Sequence, residues 1–442
     1  MASNKEILEE KFKKELDRLN SGQSKAVSTI EGPVLVIAGP GTGKTQILAA
    51  RIGKILQETD TPPHNILCLT FTDTGRVEMR NRLFKFIGPA AYRIPVHTFH
   101  SFCNEVIQDN LSYFGKLNLE AVSELEEIEL LRKLADTIEP DNPLKRFKGD
   151  VYYEVPRLKN LFSIMKKEAW PPEYLTGKID DYLEALPAKE GFFYKRAYKG
   201  ARQGDPNPTK IAAEKERMEM LRAAATLYTS YTRMMKEAGR YTFDDMILWV
   251  LEAFEKNKTI LLDYQERYLY FLVDEFQDTS GSQNKLLQSL IAYWNPPNVF
   301  VVGDDDQSVF SFQDANVENI RKFAKTFEKD LCKVVLTENY RSTQAILDAA
   351  NAVIANNAAR RPKHLWTEQV GGELLTQYQA EDEHDEAAFC VHEVLRLADA
   401  DGYRFGDLAI FYRTNAQSRV FEEIFIRVGL PYKVVGGVRF YE

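Results

Sequence analysis

The stretch Val34-Leu-Val-Ile-Ala-Gly-Pro-Gly-Thr-Gly-Lys-Thr45 decides the fold of this chain. Its first residues, 34–37, are a short β-branched apolar run that predicts a fully buried strand. Glycines follow at alternate positions, and Lys44-Thr45 begins a helical pattern that extends to about Gln57. A strand, a glycine-rich turn and a helix in this order predict a phosphate-binding loop in an α/β domain.

The loop has the chemistry needed to bind the phosphates of a nucleotide. Gly39, Gly41 and Gly43 let the backbone curl so that successive N–H groups face phosphate oxygens. Lys44 would reach the β- and γ-phosphates, and the Thr45 hydroxyl would ligate Mg²⁺. The alternative is a glycine-rich turn that binds nothing, but Gly-Lys-Thr between a strand and a helix favours the phosphate loop.

Length and composition exclude several classes of protein. The chain has 442 residues, which predicts two or three domains, and its 44% hydrophobic residues suffice for packed cores. The sequence lacks an apolar run of membrane-spanning length, a secretory signal and cysteine pairs with zinc-site spacing. We therefore expect a cytoplasmic protein with no membrane partner. The net charge of −8 argues against a generally basic nucleic-acid coat but allows a local basic groove.

Predicted strands and helices alternate along much of the chain, as in a domain with a parallel sheet. Further strands are predicted at residues 65–72, 92–96, 268–273, 299–302, 334–336 and 408–412. Asp73 is predicted to cap the helix after the second strand. Charged helical segments replace the alternation between about residues 105 and 239. The sequence thus predicts an α/β domain interrupted by a helical insertion, with a last α/β segment after it.

Basic and aromatic residues interleave within the predicted insertion. They are Lys195, Arg196, Lys199 and Arg202 together with Phe192, Phe193, Tyr194 and Tyr198. Such a cluster suits a nucleic-acid backbone and exposed bases. A solvated helix end followed by a loop explains the same residues equally well, so both interpretations stay open.

Acidic runs follow two of the predicted strands, at the strand ends where open α/β sheets bind ligands. Asp274 is suited to hold a metal ion, and Glu275 to orient or deprotonate a water molecule. Gln307, after the next strand, is a candidate to sense the γ-phosphate through its amide. Arg341 is a candidate positive charge from the last α/β segment, and its neighbour Tyr340 is a candidate to stack on a base.

These stretches together resemble the UvrD/Rep-type superfamily 1 DNA helicases. The segments in the order of that family's motifs are Gln23 and residues 38–45, 70–72, 98–100, 243–245, 273–278, 303–308, 338–343, 412–419 and 436–440. The resemblance implies an α/β fold with a RecA-like P-loop NTPase domain built on a parallel sheet, a helical insertion domain and the first part of a second RecA-like domain. The implied bounds are 1–105 and 240–330 for domain 1A, 106–239 for domain 1B and 331–442 for domain 2A.

The resemblance also implies ATP and Mg²⁺ as cofactors. Gln23, whose amide both donates and accepts hydrogen bonds, would pair with adenine, and Tyr340 would stack on it. The residues implied to bind the nucleotide are Gln23, Gly39, Gly41, Thr42, Gly43, Lys44, Thr45, Gln46, Tyr340 and Arg341. Those implied to act in hydrolysis are Lys44, Glu275, Gln307 and Arg341, and the implied metal ligands are Thr45 and Asp274.

The partner implied by the resemblance is single-stranded DNA, including its junctions with duplex DNA. The implied DNA contacts are Thr70, Phe71, Thr72, Thr98, His100, Phe310, Phe312, Arg413 and Asn415. The three phenylalanines fall where the family stacks bases. His100 is expected near DNA because no spacing typical of metal ligands accompanies it. We expect a monomer or a weak dimer, and the sequence identifies no accessory repair or replication protein.

The chain departs from the family pattern at several motif positions. Gln46 replaces a common arginine beside the adenine, and Phe312 replaces a tryptophan. Gln313-Asp314 replaces Arg-Gly and Asp73-Thr74 replaces Asn-Lys, so two cations are lost beside the DNA track. We therefore expect DNA binding that is weaker or more salt-sensitive than is typical of the family.

Our first functional hypothesis is an ATP-driven 3′-to-5′ DNA helicase and translocase that acts in DNA repair or replication. The family continues past the position of Glu442 with a 2B domain and motifs that include a second arginine finger. We therefore expect this chain to bind ATP and DNA but to hydrolyse ATP weakly. The alternatives are a non-translocating module that binds ATP and single-stranded DNA, and the motor part of a helicase–nuclease.

Overall fold

The computed structural model describes residues 4–115, 119–145, 150–197, 202–307, 318–357, 363–369, 371–400 and 402–435. The helices are Asn4–Asp17 (α1), Ser21–Ser28 (α2), Lys44–Glu58 (α3), Asp73–Ile87 (α4), Phe99–Asp109 (α5), Leu111–Phe114 (α6), Glu124–Asp136 (α7), Val155–Glu168 (α8), Pro172–Ala185 (α9), Pro208–Thr226 (α10), Tyr228–Glu237 (α11), Phe243–Lys256 (α12), Lys258–Arg267 (α13), Gly281–Ile291 (α14), Glu318–Thr326 (α15), Gln344–Ile354 (α16), Glu383–Ala400 (α17) and Ser418–Val428 (α18). The strands are Val34–Ala38 (β1), Ile66–Thr70 (β2), Val96–Thr98 (β3), Glu120–Ala121 (β4), Arg240–Tyr241 (β5), Tyr270–Val273 (β6), Val299–Gly303 (β7) and Cys332–Leu336 (β8). In the part of the chain covered by these ranges, no helix is both long and apolar enough to cross a bilayer.

Six of the strands form one parallel sheet in the order β3-β2-β6-β7-β1-β8. The strand before the phosphate loop, β1, lies between two others, with Val36 opposite both Val302 and Val334. Every residue of β1, β2, β6 and β7 is buried, as expected for parallel strands covered on both faces. The predicted α/β fold with a parallel central sheet is confirmed.

Helices cover both faces of the sheet because alternate residues of each strand point to opposite sides. On one face, Leu35 and Ile37 of β1 pack in a core with Phe102 of α5 and residues of α12 and α14. On the other face, Val34 and Val36 pack with Ile47 and other residues of α3 and with α4. The carboxyl ends of the strands stay uncovered by these cores, and the loops that follow them carry most of the predicted site residues.

The insertion forms a helical body with a core of its own. Phe162 of α8 stacks on Tyr231 of α11, with ring centroids 4.8 Å apart. The short parallel pair of β4 and β5 joins the two places where the chain enters and leaves the insertion. In the basic and aromatic cluster, Phe192 and Tyr194 face residues 205–207 through backbone hydrogen bonds and form a loop rather than a helix end. Tyr198 and Lys199 of that cluster lie outside the described residues.

Two local predictions near the second and third strands differ from the structure. The helix cap is Thr72, whose Oγ1 accepts from the Gly75 N–H at 3.0 Å, and Asp73 is instead the first helical residue. A carboxylate there still complements the positive helix end. The third strand begins only at Val96, because residues 88–93 form a 3₁₀ helix with Pro89 in its first turn.

The last segment differs more from its predicted organisation. Strand β8, expected to open a second α/β domain, is the edge strand of the six-stranded sheet, and the first compact unit ends at Gly371. The second unit, from Gly372 onward, contains α17 and α18, and Tyr378 stacks on Phe389 with centroids 4.1 Å apart. The predicted strand at 408–412 is wrong: residues 371–400 and 402–435 form no strand. An apolar run becomes a strand only where a neighbouring strand can pair with its backbone.

Candidate nucleotide-binding site

The phosphate loop adopts a backbone conformation that requires its glycines. Gly41 and Gly43 have φ angles of 68° and 85°, which side-chain-bearing residues rarely adopt. A Cβ atom at Gly41 would also lie 2.5 Å from Asn339 Nδ2, so no larger residue fits there. The loop closes on itself through Thr42, whose hydroxyl donates to the Gly39 carbonyl at 2.8 Å. The following helix begins at Lys44, as predicted.

The residues predicted to contact adenine lie together beside this loop. Gln23 is buried in the first turn of α2, and its Nε2 donates to the Thr42 carbonyl at 2.9 Å. Its Oε1 accepts from the backbone N–H of Asn20, the N-cap of the same helix. The Asn20 amide in turn donates to the Tyr340 hydroxyl at 2.9 Å. Burial, followed by the hydrogen bond with Glu338, raises the pKa of Tyr340 to about 12, so this hydroxyl stays protonated.

The segment that carries Tyr340 and Arg341 packs against the phosphate loop. Buried Asn339 donates from Nδ2 to the Pro40 carbonyl at 2.6 Å, and the Tyr340 N–H donates to the Gly41 carbonyl at 2.9 Å. A Cβ atom at Gly41 would lie 2.8 Å from the Arg341 Cβ. The Arg341 side chain is exposed. It therefore lies beside the loop without being buried in the core.

Lys44 forms an ion pair with Glu275 across the site. Its Nζ lies 2.7 Å from Glu275 Oε2, which also accepts from Gln277 Nε2 at 2.8 Å. Glu275 has a left-handed backbone with φ 48°, unusual for a residue with a side chain. Such conformations cost free energy and are concentrated at functional sites. Thr45 and Gln46 lie next to Lys44 in the first turn of α3, both partly buried.

The carboxylates after β6 are poorly compensated by positive charge. Burial, followed by repulsion from Glu275, raises the pKa of Asp274 to about 7 even though Lys44 opposes the shift. The same causes raise the pKa of Asp278 to about 6, and its Oδ1 is buried without a hydrogen-bond partner. Buried oxygens that lack a positive partner fit the requirement of Mg²⁺ for hard oxygen ligands. Asp274 and Asp278 therefore have the chemistry that a cation requires.

A series of hydrogen bonds extends from these carboxylates to Gln307. Gln277 Oε1 accepts from the Asp304 N–H at 2.9 Å, and Asp304 Oδ2 accepts from Gln307 Nε2 at 2.6 Å. Because Gln277 also donates to Glu275, a single amide links the ends of strands β6 and β7. The series brings the predicted catalytic residues Lys44, Glu275 and Gln307 into one connected group.

A cavity of about 270 Å³ lies between this group and part of the predicted DNA contacts. Its lining residues are Thr70, Phe71, Thr72, Gly75, Asp274, Glu275, Gln277, Asp278 and Gln307. Thr70 is buried and pairs in register with Thr98 of β3, so the predicted contacts on these neighbouring strands share one sheet edge. His100 follows in α5, with its Nε2 3.4 Å from Asp244 Oδ1.

The remaining predicted DNA contacts lie in the second compact unit or outside the described residues. Arg413 and Asn415 are exposed residues of the second compact unit. Phe310 and Phe312 lie outside the described residues, as does the segment 436–440.

Sequence reasoning missed several residues that hold the site together. Asn20 had a recognisable signal, since Asn-x-x-Gln at the start of a helical pattern is typical of a capping box. Asn339 and Gln277 lie inside motifs that the sequence identified, but their contacts join distant segments. Local pattern gives no sign of such contacts.

Comparison with known proteins matches nearly the whole chain to one family. The profile of the UvrD/REP helicase N-terminal domain matches residues 19–328, and that of the UvrD-like helicase C-terminal domain matches residues 334–442. The chain is 36% identical over 428 residues to the ATP-dependent DNA helicase PcrA of Staphylococcus aureus, which covers 97% of this chain and 52% of the relative. It is also 36% identical over 435 residues to the ATP-dependent DNA helicase UvrD1 of Mycobacterium tuberculosis, which covers 97% of this chain and 51% of the relative. The chain spans about half the length of the curated relatives it matches.

Proposed function

The chain belongs to the UvrD/REP helicase family, and on that basis we propose that it is the ATP- and DNA-binding part of a motor that moves 3′-to-5′ along single-stranded DNA, with weak hydrolysis of its own. We propose further that this motor unwinds duplex DNA at single-strand junctions during repair or replication in the cytoplasm, as a monomer or weak dimer. The observation that carries the proposal is the series of contacts from Lys44 through Glu275, Gln277 and Asp304 to Gln307, beside a cavity shared with Phe71.

The contacts of Lys44 support a role in hydrolysis. The ammonium of Lys44 pairs with Glu275 at 2.7 Å. Bound ATP would draw Lys44 to the β- and γ-phosphates, which would release Glu275 to accept a proton from a water molecule. That water would attack the γ-phosphorus, the bond to the bridging oxygen of ADP would break, and ADP and phosphate would result. Arg341 would stabilise the charge that develops on the transferred phosphoryl group.

Mg²⁺ bound by Thr45 and Asp274 would supply charge neutralisation at the β- and γ-phosphate oxygens. The raised pKa of Asp274, which burial causes, indicates a carboxyl that favours a cation beside it. Gln23 and Tyr340 would recognise the adenine, and Gln46 would flank it in the first turn of α3. These roles follow from the resemblance and are compatible with the positions of the residues around the loop.

The cavity beside Gln307 supports a coupling between nucleotide and DNA. Thr70, Phe71 and Thr72 line the same 270 Å³ space as Glu275 and Gln307, so one rearrangement can reach both groups. Stacking of a base on Phe71 is typical of proteins that bind single strands without sequence preference. Thr98, His100, Arg413, Asn415, Phe310 and Phe312 would extend the DNA track. The cations replaced at Asp73-Thr74 and Gln313-Asp314 would make binding more sensitive to salt.

The test is steady-state ATP hydrolysis by the 442-residue chain, with and without a single-stranded oligonucleotide, compared with Glu275→Gln. We expect the chain to bind nucleotide and to hydrolyse it slowly with little stimulation by DNA, and Glu275→Gln to remove the residual hydrolysis while keeping the binding. Glu266→Gln, at an exposed residue of α13, is the matched control and should leave the rate unchanged. Rapid DNA-stimulated hydrolysis would contradict the expected weak activity and would mean that these residues form a complete motor. Residual hydrolysis that survives Glu275→Gln would contradict the assigned base.

A further inference from the structure

A lysine lies buried among three consecutive aspartates at the end of β7. The Lys363 side chain is 2% exposed, and its Nζ lies 2.6 Å from Asp304, 2.7 Å from Asp305 and 2.8 Å from Asp306. An ammonium has three N–H donors, so each can serve one carboxylate. Burial alone would lower the pKa of Lys363, but the hydrogen bonds with the aspartates outweigh it and raise the pKa, so the side chain stays charged.

The lysine occupies the space where a metal ion would otherwise fit. One oxygen of each aspartate lies within 4.8 Å of the others, a grouping that could hold a cation. Lys363 supplies one cation from within the chain, and the three aspartates share it. The protein itself thus holds a positive charge in direct contact with all three carboxylates.

Asp304 connects this cluster to the nucleotide site. Its Oδ1 contacts Lys363, while its Oδ2 accepts from Gln307 Nε2 at 2.6 Å. Its backbone N–H donates to Gln277, which donates to Glu275. The orientation of the Gln307 amide thus depends on a carboxylate that Lys363 holds in place.

The segment that carries Lys363 is also fixed to the phosphate loop. Trp366 and Asn339 join through a backbone hydrogen bond of 2.8 Å, and Asn339 contacts the loop at Pro40. Leu365 packs so closely on Gly39 that a Cβ atom there would lie 2.4 Å from Leu365 Cδ2. Lys363 therefore belongs to a segment that contacts the phosphate loop, and its ammonium contacts Asp304, which accepts a hydrogen bond from Gln307.

We propose that Lys363 is a positioning residue that sets the Gln307 amide relative to the phosphate loop and so gives the site its preference for a γ-phosphate. The inference rests on the proposed function, in which Gln307 senses that phosphate. Lys363 acts through Asp304 and makes no contact with nucleotide itself.

The test measures how strongly the chain prefers a triphosphate over a diphosphate. Calorimetric titration with Mg²⁺ and either ADP or a non-hydrolysable ATP analogue gives two dissociation constants. The preference is the dissociation constant for ADP divided by that for the ATP analogue, and we call this quotient the ratio. We expect Gln307→Ala and Lys363→Met each to reduce this ratio about tenfold, as loss of one charge-assisted contact would. Affinity for ADP should change by less than about threefold, and the double variant should resemble Gln307→Ala alone.

Lys166→Met is the matched control. Its side chain is also 2% exposed and forms an ion pair of 2.8 Å with Asp245, away from the residues that line the nucleotide site. Removal of this buried lysine should lower stability but leave the ratio of dissociation constants at the wild-type value.

The outcomes separate the inference from the proposed function. A wild-type ratio in Lys363→Met, with a reduced ratio in Gln307→Ala, would overturn the inference and leave the role of Gln307 intact. A wild-type ratio in Gln307→Ala would show that Gln307 does not sense the γ-phosphate. It would therefore overturn both the inference about Lys363 and the role that the proposed function assigns to Gln307. If Lys363→Met does not fold, Lys363→Arg replaces it, because arginine keeps the charge but cannot match a compact ammonium among three carboxylates. An unchanged ratio in folded Lys363→Arg would likewise overturn the positioning role.

Discussion

Two acidic runs follow neighbouring strands of the same sheet, and they differ in the positive charge that contacts their carboxylates. After β6, Asp274 and Asp278 have raised pKa values, about 7 and about 6, because burial and Glu275 outweigh the influence of Lys44. After β7, Asp304 and its two neighbours share the buried ammonium of Lys363. The two strands are adjacent and parallel, so the difference comes from the side chains around them.

Carboxylates that bind a ligand and carboxylates that hold neighbouring side chains in place differ in how their charge is compensated. A buried carboxylate without a cation costs stability, and a chain retains it where a ligand supplies the missing charge. A buried carboxylate with an internal cation is held in a fixed geometry, because loss of either partner leaves a charge uncompensated. Asp274 and Asp278 fit the first description, and the run after β7 fits the second.

The largest effect is expected where the internal cation is removed. Lys363→Met should lower the free energy of unfolding by about 3–5 kcal/mol, since one buried and two partly buried carboxylates would lose the ammonium that they share. Urea unfolding measures this change, and Lys325→Met, at an exposed lysine of α15, should change it by less than about 0.5 kcal/mol. A loss below about 1 kcal/mol for Lys363→Met would mean that the carboxylates after β7 do not depend on this internal cation, contrary to the difference proposed between the two runs.

The same substitution in the two runs should have effects of opposite sign. Asp304→Asn places an amide N–H₂ against the donor of Lys363 or of Gln307, and should lower the free energy of unfolding near neutral pH by about 2 kcal/mol. Asp274→Asn keeps an oxygen for the Glu275 N–H and removes a poorly compensated buried charge, so it should raise that free energy by about 1 kcal/mol in the absence of nucleotide. Denaturant unfolding of both variants tests the prediction, and two losses of equal size would refute it.

The gain from Asp274→Asn should depend on pH. Because the pKa of Asp274 is about 7 in the folded chain and 3.8 ordinarily, the folded state retains a proton that the unfolded state has released between these values. The contribution of this carboxyl to stability therefore falls as the pH rises through that window. The difference in free energy of unfolding between the variant and the wild type should therefore shift in favour of the variant as the pH rises from about 4 to about 7. Asp263→Asn, at an exposed residue, is the control, and a constant difference over this range would argue against the raised pKa.

The smallest effect is that of Mg²⁺ without nucleotide. A weakly bound ion at Asp274 should raise the free energy of unfolding by about 0.5 kcal/mol at about 10 mM MgCl₂, with ionic strength matched by NaCl. The increment should disappear in Asp274→Asn and persist in Asp306→Asn, since Lys363 already compensates the second run. Thermal unfolding of the three proteins measures it. If only Asp306→Asn removed the stabilisation by Mg²⁺, the ion would bind after β7 and not after β6, which would contradict our assignment.

The sequence predicted the elements that depend on neighbours along the chain. The buried run at 34–37, the glycines and Lys44-Thr45 together predicted a strand, a glycine-rich turn and a helix, and all three lie where expected. The order of motifs predicted the family, and the alternation of strand and helix patterns predicted a parallel sheet with a helical insertion. These signals are read from the order of residues along the chain, so they can be recognised without the fold.

The errors arose where a distant segment decides the outcome. The apolar run at 408–412 has the composition of a strand, but it pairs with no strand among the described residues. By contrast, β8 pairs with β1, which lies about 300 residues earlier in the chain. The cap at Thr72 instead of Asp73 is a smaller error, because both residue types can cap and the backbone geometry selects one.

The fold class, the glycine-rich loop and the residue types available for nucleotide chemistry can thus be read from the amino-acid sequence. How the charges of these residues are compensated depends on tertiary contacts. Lys363 lies 58 positions from Asp305, with no pattern to link them, yet their side chains meet at 2.7 Å. Backbone conformation follows local sterics and periodicity, but the electrostatic state of a carboxylate depends on which charges lie within a few ångströms of it. That proximity is set by the packing of the whole unit, so two similar acidic runs acquired different properties.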